Sequence, residues 1–253
     1  MNAVKLRPKR VPDQLLLGVR LRDSSVFASY FPGRNAPIVD VLKAVQPGVL
    51  PTCVFLQGAA STGKTHLLQA LSVDAAGRGL ATAYLPLREL TSMGPEALSG
   101  WGDLDIVCID DVEEIARVRP WNLALFALHQ QLEERRARVV VASRLPPPAL
   151  NMALPDLGSR LAGGLTLTLQ PLSDDEQIEA LQLRAELRGF ELPTETAHLL
   201  ITRLPRDMAT LCSFLDRLDE ASLVEQRRLT PRFVREVMAS TGALIPKSSA
   251  QDS

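Results

Sequence analysis

The chain has 253 residues, of which 46% are apolar and 23% are charged, and its formal net charge is −1 at pH 7. These values predict an ordinary globular protein with one large or two modest domains, lacking the global positive field of many nucleic-acid-binding proteins. The three cysteines lie far apart in apolar stretches, so neither disulfides nor a Cys-x-x-Cys metal site is expected. No apolar run approaches the roughly eighteen residues that span a membrane. We therefore expect a cytoplasmic protein with no membrane partner.

The first 22 residues hold six Lys or Arg against one acidic residue, Asp13. This charge and the absence of periodicity predict a flexible, locally basic tail. Within the tail, Gln14 is followed by three leucines, Leu15, Leu16 and Leu17. A free tail gains nothing by exposing three leucines, so we expect this tetrapeptide to dock on a partner or to pack on its own domain.

Residues 58–65 match every fixed position of the phosphate-binding pattern G-x-x-x-x-G-K-[ST]. The matching residues are Gly58, Ala59, Ala60, Ser61, Thr62, Gly63, Lys64 and Thr65. The apolar run 53–56 predicts a strand before them, and residues 66–71, beginning with His66, continue with helical spacing. In such a loop the backbone N–H groups face the phosphates, Lys64 reaches their oxygens and Thr65 holds Mg²⁺. The segment, with His66 directly behind it, predicts a site for ATP or ADP.

Four further strand candidates alternate with helical segments, at 81–85, 105–109, 139–142 and 165–169. This alternation predicts a five-stranded parallel sheet covered by helices, one of which is the amphipathic segment 121–132. From Pro171 onward the strand pattern stops, and helical segments follow near 173–188, 194–204, 206–221 and 231–239. Ser173 with Glu176 forms a capping-box pattern, and Thr230 with Pro231 marks another helix start.

We accordingly expect four segments along the chain. They are a flexible tail at 1–22, an α/β nucleotide-binding domain at 23–170, an all-helical domain at 171–241 and a second flexible tail at 242–253. Three histidines, His66, His129 and His198, lie on predicted helices without metal-ligand spacing. We expect them at the surface or only lightly buried.

Two carboxylates, Asp110 and Asp111, directly follow the predicted strand 105–109. A phosphate-binding loop needs an acidic partner for its metal, and an apolar strand ending in two acidic residues has the pattern of a Walker B strand. We expect Asp110 to hold Mg²⁺ and Asp111 to polarise the water that attacks the γ-phosphate.

A parallel sheet with both motifs, followed by a small helical domain, resembles the AAA+ nucleotide switches over most of the chain. The resemblance implies an AAA+ P-loop core and a helical lid. Residues 27–35 further resemble a segment that packs near the adenine in the replication initiator DnaA and its relatives. Residues 154–161 resemble that family's arginine-finger box, which implies that Arg160 reaches the nucleotide of a neighbouring subunit.

The tetrapeptide from Gln14 to Leu17 resembles the Gln-Leu-x-Leu peptide by which replication proteins dock into the sliding clamp. Residues 170–176 and 181–193 resemble the lid of the Hda family of DnaA-related regulators. This resemblance implies as partners DnaA, the sliding clamp (the β subunit of DNA polymerase III) and, through the clamp, DNA at the replisome. It leaves open a homodimer. The helix-turn-helix DNA reader of DnaA is not expected after Thr241.

Two positions depart from the DnaA pattern. Arg144 follows the predicted fourth strand where an acidic sensor is expected, and an arginine accepts no proton. In the lid, Ala209 occupies the position of the sensor arginine, which leaves Arg206 as the nearest substitute. We therefore expect a site that binds nucleotide with little hydrolysis of its own.

The combined expectation is a negative regulator of replication initiation. It would hold a nucleotide, expected to be ADP, join the DNA-loaded clamp and use Arg160 to stimulate hydrolysis of the ATP bound to DnaA. Three alternatives stay open: an initiator or helicase-loader ATPase with its own turnover, a non-enzymatic clamp adaptor, and a DNA-binding module acting through the basic tail.

Overall fold

The computed structural model describes residues 25–49, 51–225 and 230–241. The helices and strands of the first domain are α1 (Ala36–Lys43), β1 (Cys53–Gly58), α2 (Lys64–Gly77), β2 (Thr82–Pro86), α3 (Leu87–Leu90), β3 (Ile106–Asp110), α4 (Arg119–Glu134), β4 (Arg138–Ser143), α5 (Pro155–Ala162) and β5 (Leu165–Leu169). The second domain consists of α6 (Asp174–Glu186), α7 (Thr194–Arg203), α8 (Met208–Glu225) and α9 (Pro231–Thr241). Within these described residues, no helix is long and apolar enough to cross a membrane.

The five strands form one parallel sheet in the order β2-β3-β4-β1-β5, which confirms the predicted sheet. The strands β1, β3 and β4 are almost entirely buried, because a parallel sheet is covered by helices on both faces. Since all strands run the same way, the carboxyl ends of β1 and β3 meet at one edge. Gly58 and Asp110, which end these two strands, therefore lie at the same edge of the sheet.

The two faces of the sheet bury separate apolar clusters, because side chains alternate along each strand. On one face, Phe55 from β1 packs with Leu125 from α4 and Leu157 from α5. On the other face, Leu56 from β1 packs with Leu68 from α2. The helix behind the phosphate-binding loop is thus fixed to one face of the sheet, and the helices near Arg160 cover the other.

The second domain, called the lid below, has its own apolar core formed by α6 to α9. The principal core residues are Ile178, Leu181, Leu192, Leu200, Ile201, Leu211, Phe214, Leu215, Leu218, Phe233 and Val234. The predicted capping box is confirmed: Ser173 Oγ accepts from the N–H of Glu176, and Glu176 Oε2 accepts from the N–H of Ser173 at 2.8 Å. Thr230 Oγ1 accepts from the N–H of Phe233, so α9 also begins where predicted.

Three details differ from the sequence expectations. The helix expected at 206–221 begins at Met208, because Asp207 accepts the N–H of Thr210 at 2.8 Å and caps it. Two strands start one residue late, since the side chain of Asp105 accepts the N–H of Ala81 ahead of the paired residues. The expectation of an exposed or lightly buried His129 is wrong, because its residue is 4% exposed on the apolar stripe of α4.

Candidate nucleotide-binding site

The phosphate-binding loop joins the end of β1, at Gly58, to the first residue of α2, Lys64. Gly63 has a φ of +91°, which L side chains rarely adopt, and a Cβ added there would lie 2.6 Å from Cε2 of Tyr30. The backbone N–H groups of residues 60–63 donate no hydrogen bond to the backbone of the described chain. Free N–H groups at a helix N-terminus bind anions, so this loop fits the phosphates of a nucleotide.

Lys64 is the buried cation of this loop. The residue is 7% exposed, and Nζ donates to the backbone oxygens of Gly58 at 2.7 Å and Ala59 at 2.8 Å. Burial lowers the pKa of Lys64, although nearby carboxylates, chiefly Asp110, oppose that effect. Because burial removes water from the Lys64 ammonium, a phosphate bound in the loop would stabilise its charge. This is the role that the sequence predicts for Lys64.

The two predicted magnesium ligands lie together. Thr65 Oγ1 donates a 2.6 Å hydrogen bond to Oδ2 of Asp110, and Asp110 is 1% exposed. Tyr84 of β2, which the sequence analysis missed, donates to the same oxygen at 2.9 Å. Burial and the Asp110 charge raise the pKa of Tyr84 and keep it a donor. Hydroxyl and carboxylate oxygens suit Mg²⁺, which typically uses one or two protein oxygens besides phosphate and water.

No cluster of three or more His, Cys, Asp or Glu side chains that could hold a metal occurs in the described ranges. A site built on Thr65 and Asp110 is consistent with that observation, because it needs the nucleotide to complete the coordination of Mg²⁺. The donor set therefore fits magnesium bound together with a nucleotide.

Asp111 is held by an arginine. Its backbone is left-handed, with φ 55° and ψ 45°, and its Oδ1 lies 3.3 Å from Nη2 of Arg88, the second residue of α3. Arg88 also pairs with Glu114 at 3.1 Å. Burial raises the pKa of Asp111, the charge of Asp110 adds to this and Arg88 opposes it. The predicted role of Asp111 toward water stays a prediction, and the structure shows that one carboxylate oxygen is already engaged.

Arg144 lies at the end of β4 and engages two neighbouring carboxylates. Its Nε lies 2.7 Å from Oε1 of Glu113, and its Nη2 lies 3.5 Å from Oε1 of Glu114. Burial raises the pKa of Glu113, but the hydrogen bonds from Arg144 outweigh this and hold that pKa below its ordinary value. Arg88, Glu113 and Glu114 were not identified from the sequence, although the acidic pair that follows Asp111 after Val112 was a signal.

Residues 26–35, called the lead-in segment below, lie against the loop. Tyr30 donates its hydroxyl to the backbone oxygen of Thr62 at 3.3 Å, and its ring centroid lies 5.5 Å from that of His66. Burial raises the pKa of Tyr30 to about 12, with a hydrogen bond from Asn35 opposing. The lead-in segment therefore closes one side of the loop, beside Gly63.

His66, the third residue of α2, joins three parts of the molecule. Its Nε2 lies 2.9 Å from the backbone oxygen of Val26, and its Nδ1 lies 3.1 Å from Nη2 of Arg184 in lid helix α6. A carbonyl only accepts and a guanidinium only donates, so these contacts assign the proton to Nε2. Burial lowers the pKa of His66 to about 4, in agreement with a neutral ring.

Two further contacts tie the lead-in segment to Glu176 of the lid and to Gln170, which directly follows β5. The side-chain amide of Asn35 donates to the backbone oxygen of Gln170 at 2.9 Å and accepts its N–H at 2.8 Å. Arg34 pairs with Glu176 at 2.9 Å. The hydrogen bond from Ser173 and those from Arg34 hold the pKa of Glu176 at about 2. The lid is thus anchored close to the loop but through residues outside the phosphate-binding pattern.

Arg160 lies in the last turn of α5 and contacts α4. Its Nη1 pairs with Oε2 of Glu133, and its guanidinium carbon lies 4.9 Å from the ring centroid of Phe126. The side chain is 33% exposed. None of these contacts involves the phosphate-binding loop of its own chain, so the predicted finger is not gathered into this site. Its action on a neighbouring subunit stays a prediction.

The remaining predicted residues fall away from the loop. Arg206 is 66% exposed and pairs with Asp174 inside the lid at 3.1 Å. Ala209 is exposed on α8. The clamp-type peptide from Gln14 to Leu17 lies outside the described residues.

The lid matches a family model described as "Hda, lid domain" over residues 174–238. That match falls on α6 to α9, the helices whose caps and apolar core are described above. The lid is therefore of the Hda type.

Solved structures resemble the whole two-domain arrangement. Domain III of the Thermotoga maritima replication initiation protein DnaA aligns with a TM-score of 0.71 and 18% identity, over 88% of this chain and 98% of that one. DnaA of Aquifex aeolicus, bound to AMPPCP, aligns with a TM-score of 0.66 and 18% identity, over 88% of this chain and 71% of that one. Thermotoga maritima RuvB aligns with a TM-score of 0.60 and 16% identity, over 83% and 68%.

These likenesses establish the AAA+ fold, with a parallel five-stranded core and a helical lid, at identities too low to transfer a site. The match to the family model identifies the type of lid, and this evidence is independent of the likeness in fold. The chain has the AAA+ fold that is also found in DnaA, and its lid matches the Hda lid-domain family model.

Proposed function

We propose that this protein is a negative regulator of replication initiation that holds a nucleotide and presents Arg160 to the ATP of a DnaA subunit. The observation that carries this proposal is the Hda-type lid on residues 174–238 behind a DnaA-like core. We expect ADP to be the resident nucleotide, with Mg²⁺.

The residues of the loop would hold that nucleotide. The free N–H groups of residues 60–63 bind its phosphates, and Lys64 exchanges its loop carbonyls for phosphate oxygens. Thr65 and Asp110 supply oxygens to Mg²⁺, which neutralises charge on the phosphates when bound. The contacts of this chain thus favour tight binding.

The carboxylates beside the metal ligands argue for slow turnover. A carboxylate orients an attacking water with a free lone pair, whereas Oδ1 of Asp111 already pairs with Arg88. Arg144 supplies a second cation, on Glu113, at the strand end where DnaA has an acidic sensor. The protein would therefore keep its nucleotide bound as a structural switch and hydrolyse it only slowly.

Arg160 has the exposure and support that an arginine finger needs. Glu133 engages Nη1, and the ring of Phe126 lies against the guanidinium, so one edge and one face of the group are held. Within the described residues, its other guanidinium nitrogens make no hydrogen bond, so they are available to a neighbouring subunit. A finger supplied in trans accelerates phosphoryl transfer by about 10³ to 10⁵.

In this proposal, the sliding clamp determines where the protein acts. Docking of Gln14 and the three following leucines into the sliding clamp would tether the protein beside newly copied DNA, which it reaches only indirectly. Tethering raises the local concentration, so a weak contact with DnaA suffices. A second copy of the chain at the clamp is compatible with this arrangement.

The decisive experiment measures phosphate release with DNA-loaded clamp, ATP-loaded DnaA and this protein, omitting each component in turn. We expect release only with all three, and Arg160→Ala should reduce the stimulation by about 10³-fold to background. Arg117→Ala, which removes another exposed arginine, is the matched control and should stimulate normally. Stimulation that survives Arg160→Ala refutes the finger.

The tether and the pocket have separate tests. Gln14→Ala with Leu15→Ala should lose retention on immobilised clamp and keep ADP affinity. Lys64→Ala should lose ADP binding in calorimetry and still be retained by the clamp. Unchanged retention of the first variant refutes the docking peptide.

An initiator or loader ATPase is the second candidate, because Lys64, Thr65 and Asp110 are assembled as in an enzyme. The discriminating measurement is ATP hydrolysis by the isolated chain, with and without single-stranded DNA. Multiple turnovers by the isolated chain would favour this candidate over the regulator.

A further inference from the structure

The lid needs a physical link to the loop if nucleotide binding is to fix its position. Ala209, at the sensor position, carries only a methyl group and is exposed. Arg206, the nearest substitute, pairs with Asp174 of the same domain at 3.1 Å. Neither residue makes a described contact that joins the lid to the loop.

A different lid cation makes such a contact. Arg184, in the last turn of α6, donates from Nη2 to Nδ1 of His66 at 3.1 Å. His66 stands one residue after Thr65, so its ring belongs to the first turn of the helix whose N-terminus faces the phosphates. The opposite ring nitrogen donates to Val26 at 2.9 Å and fixes the ring in the lead-in segment.

Among the described residues, two other contacts near the lid reach the lead-in segment and not the loop. Glu176 pairs with Arg34, and Gln170 bonds Asn35, so both attach the lid region to the lead-in segment. The Arg184 contact differs from them because it joins α6 directly to α2, the helix that begins in the phosphate-binding loop. Any shift of α2 on phosphate binding moves the acceptor of this hydrogen bond.

We propose that Arg184, through His66, is the link by which nucleotide in the loop fixes the lid, in place of a sensor arginine. Arg184 is a positioning residue here, since it acts through His66. The inference deepens the proposed function and rests only on its nucleotide-binding part. Because coupling between sites is reciprocal, Arg184 must also affect nucleotide affinity.

The test compares amide hydrogen exchange of α6 with and without Mg-ADP, alongside ADP affinity by calorimetry. In the wild-type chain, ADP should slow exchange of residues 174–186. In Arg184→Gln, that ADP-dependent slowing should disappear, and ADP affinity should fall by about tenfold, within the usual range of coupling. Arg188→Gln is the matched control, because Arg188 pairs with Asp216 inside the lid. It should keep both properties.

His66→Phe tests the same link from the core side, where the lid helices are untouched. It should reproduce the loss, and the double variant should be no worse than either single variant. A merely structural role of Arg184 would speed exchange equally with and without ADP. The proposal is overturned if Arg184→Gln retains the ADP-dependent slowing, or if Arg206→Gln abolishes it instead. Absence of ADP binding to the wild-type chain would refute the proposed nucleotide site itself.

Discussion

Replacing Gly63 by alanine tests the close packing of the phosphate-binding loop. The substitution adds one methyl group at a φ of +91°, and that carbon would lie 2.6 Å from Cε2 of Tyr30. The ring has little freedom to swing away, because its hydroxyl donates to the backbone oxygen of Thr62 at 3.3 Å. The variant therefore meets two penalties, one from the backbone and one from the ring.

The two penalties have different magnitudes. A left-handed conformation costs an alanine about 1–2 kcal/mol, and forcing a side chain aside in a packed region costs about 1–3 kcal/mol. Gly63→Ala should thus lower the free energy of unfolding by about 2–5 kcal/mol. The chain contains an internal reference in Gly79, which has a φ of +81° and no atom within 4 Å of an added Cβ. Gly79→Ala should lose only the backbone part, about 1–2 kcal/mol.

The assay is urea unfolding of both variants, with ADP calorimetry in parallel. Alanine also lowers the conformational entropy of the unfolded chain relative to glycine, and this effect is the same at both positions, so it cancels in the difference between them. Adding Tyr30→Ala to Gly63→Ala should remove the steric part, so a double-mutant cycle should show coupling of about 1–3 kcal/mol. ADP affinity should fall in Gly63→Ala and stay normal in Gly79→Ala.

Equal losses of unfolding free energy in Gly63→Ala and Gly79→Ala would refute the steric reasoning, since only the shared backbone term would remain. A double-mutant cycle that shows no coupling between Gly63 and Tyr30 would also refute the steric reasoning. Normal ADP affinity in Gly63→Ala would separately refute the link between this packing and phosphate binding.

Three other perturbations follow from the site. Asn35→Ala should lower the free energy of unfolding by about 2 kcal/mol in urea, since it removes two hydrogen bonds with Gln170; a loss below about 0.5 kcal/mol contradicts this. Glu176→Gln should be less stable than wild type near pH 7. The difference in stability should shrink as pH falls from 4.5 toward 2, because the pKa of Glu176 is held at about 2 and its ion pair is lost on protonation. A stability difference that does not change with pH in circular-dichroism melts contradicts this. Arg88→Ala should raise ATP hydrolysis by the isolated chain, up to about 10²-fold, by freeing the second aspartate; an unchanged phosphate-release rate contradicts it.

Most features predicted from the sequence are encoded by adjacent residues. The loop from Gly58 to Thr65, the apolar strands and the capping box of Ser173 each depend on residues within a few positions of one another. Their physical causes are local: backbone conformation, alternation of side chains and hydrogen bonds of the first helical turn. Local patterns also explain the small errors, such as the late start of α8, which a cap at Asp207 determines.

The features missed depend on contacts between distant segments. Arg184 and His66 are separated by 118 positions, and Arg34 and Glu176 by 142, so no spacing rule indicates that they meet. His129 was expected near the surface because it lies on a predicted helix without metal-ligand spacing, but it is only 4% exposed in the structure. Tertiary packing decides such positions, and a single sequence carries little signal for it.

Under the proposed function, the order of the sheet would let one edge keep its grip on a nucleotide while losing turnover. The grip depends on β1, the loop and Asp110 of β3, whereas the second aspartate, Asp111, directly follows β3 between the ends of β2 and β4. Arg88 follows β2 and Arg144 follows β4, so each neighbour of β3 places a cation on the acidic cluster, and Glu114 contacts both. Substitutions at these two strand ends alter the carboxylates without touching the loop. A DnaA-like core can therefore become a nucleotide-holding one by changes beside β3 alone.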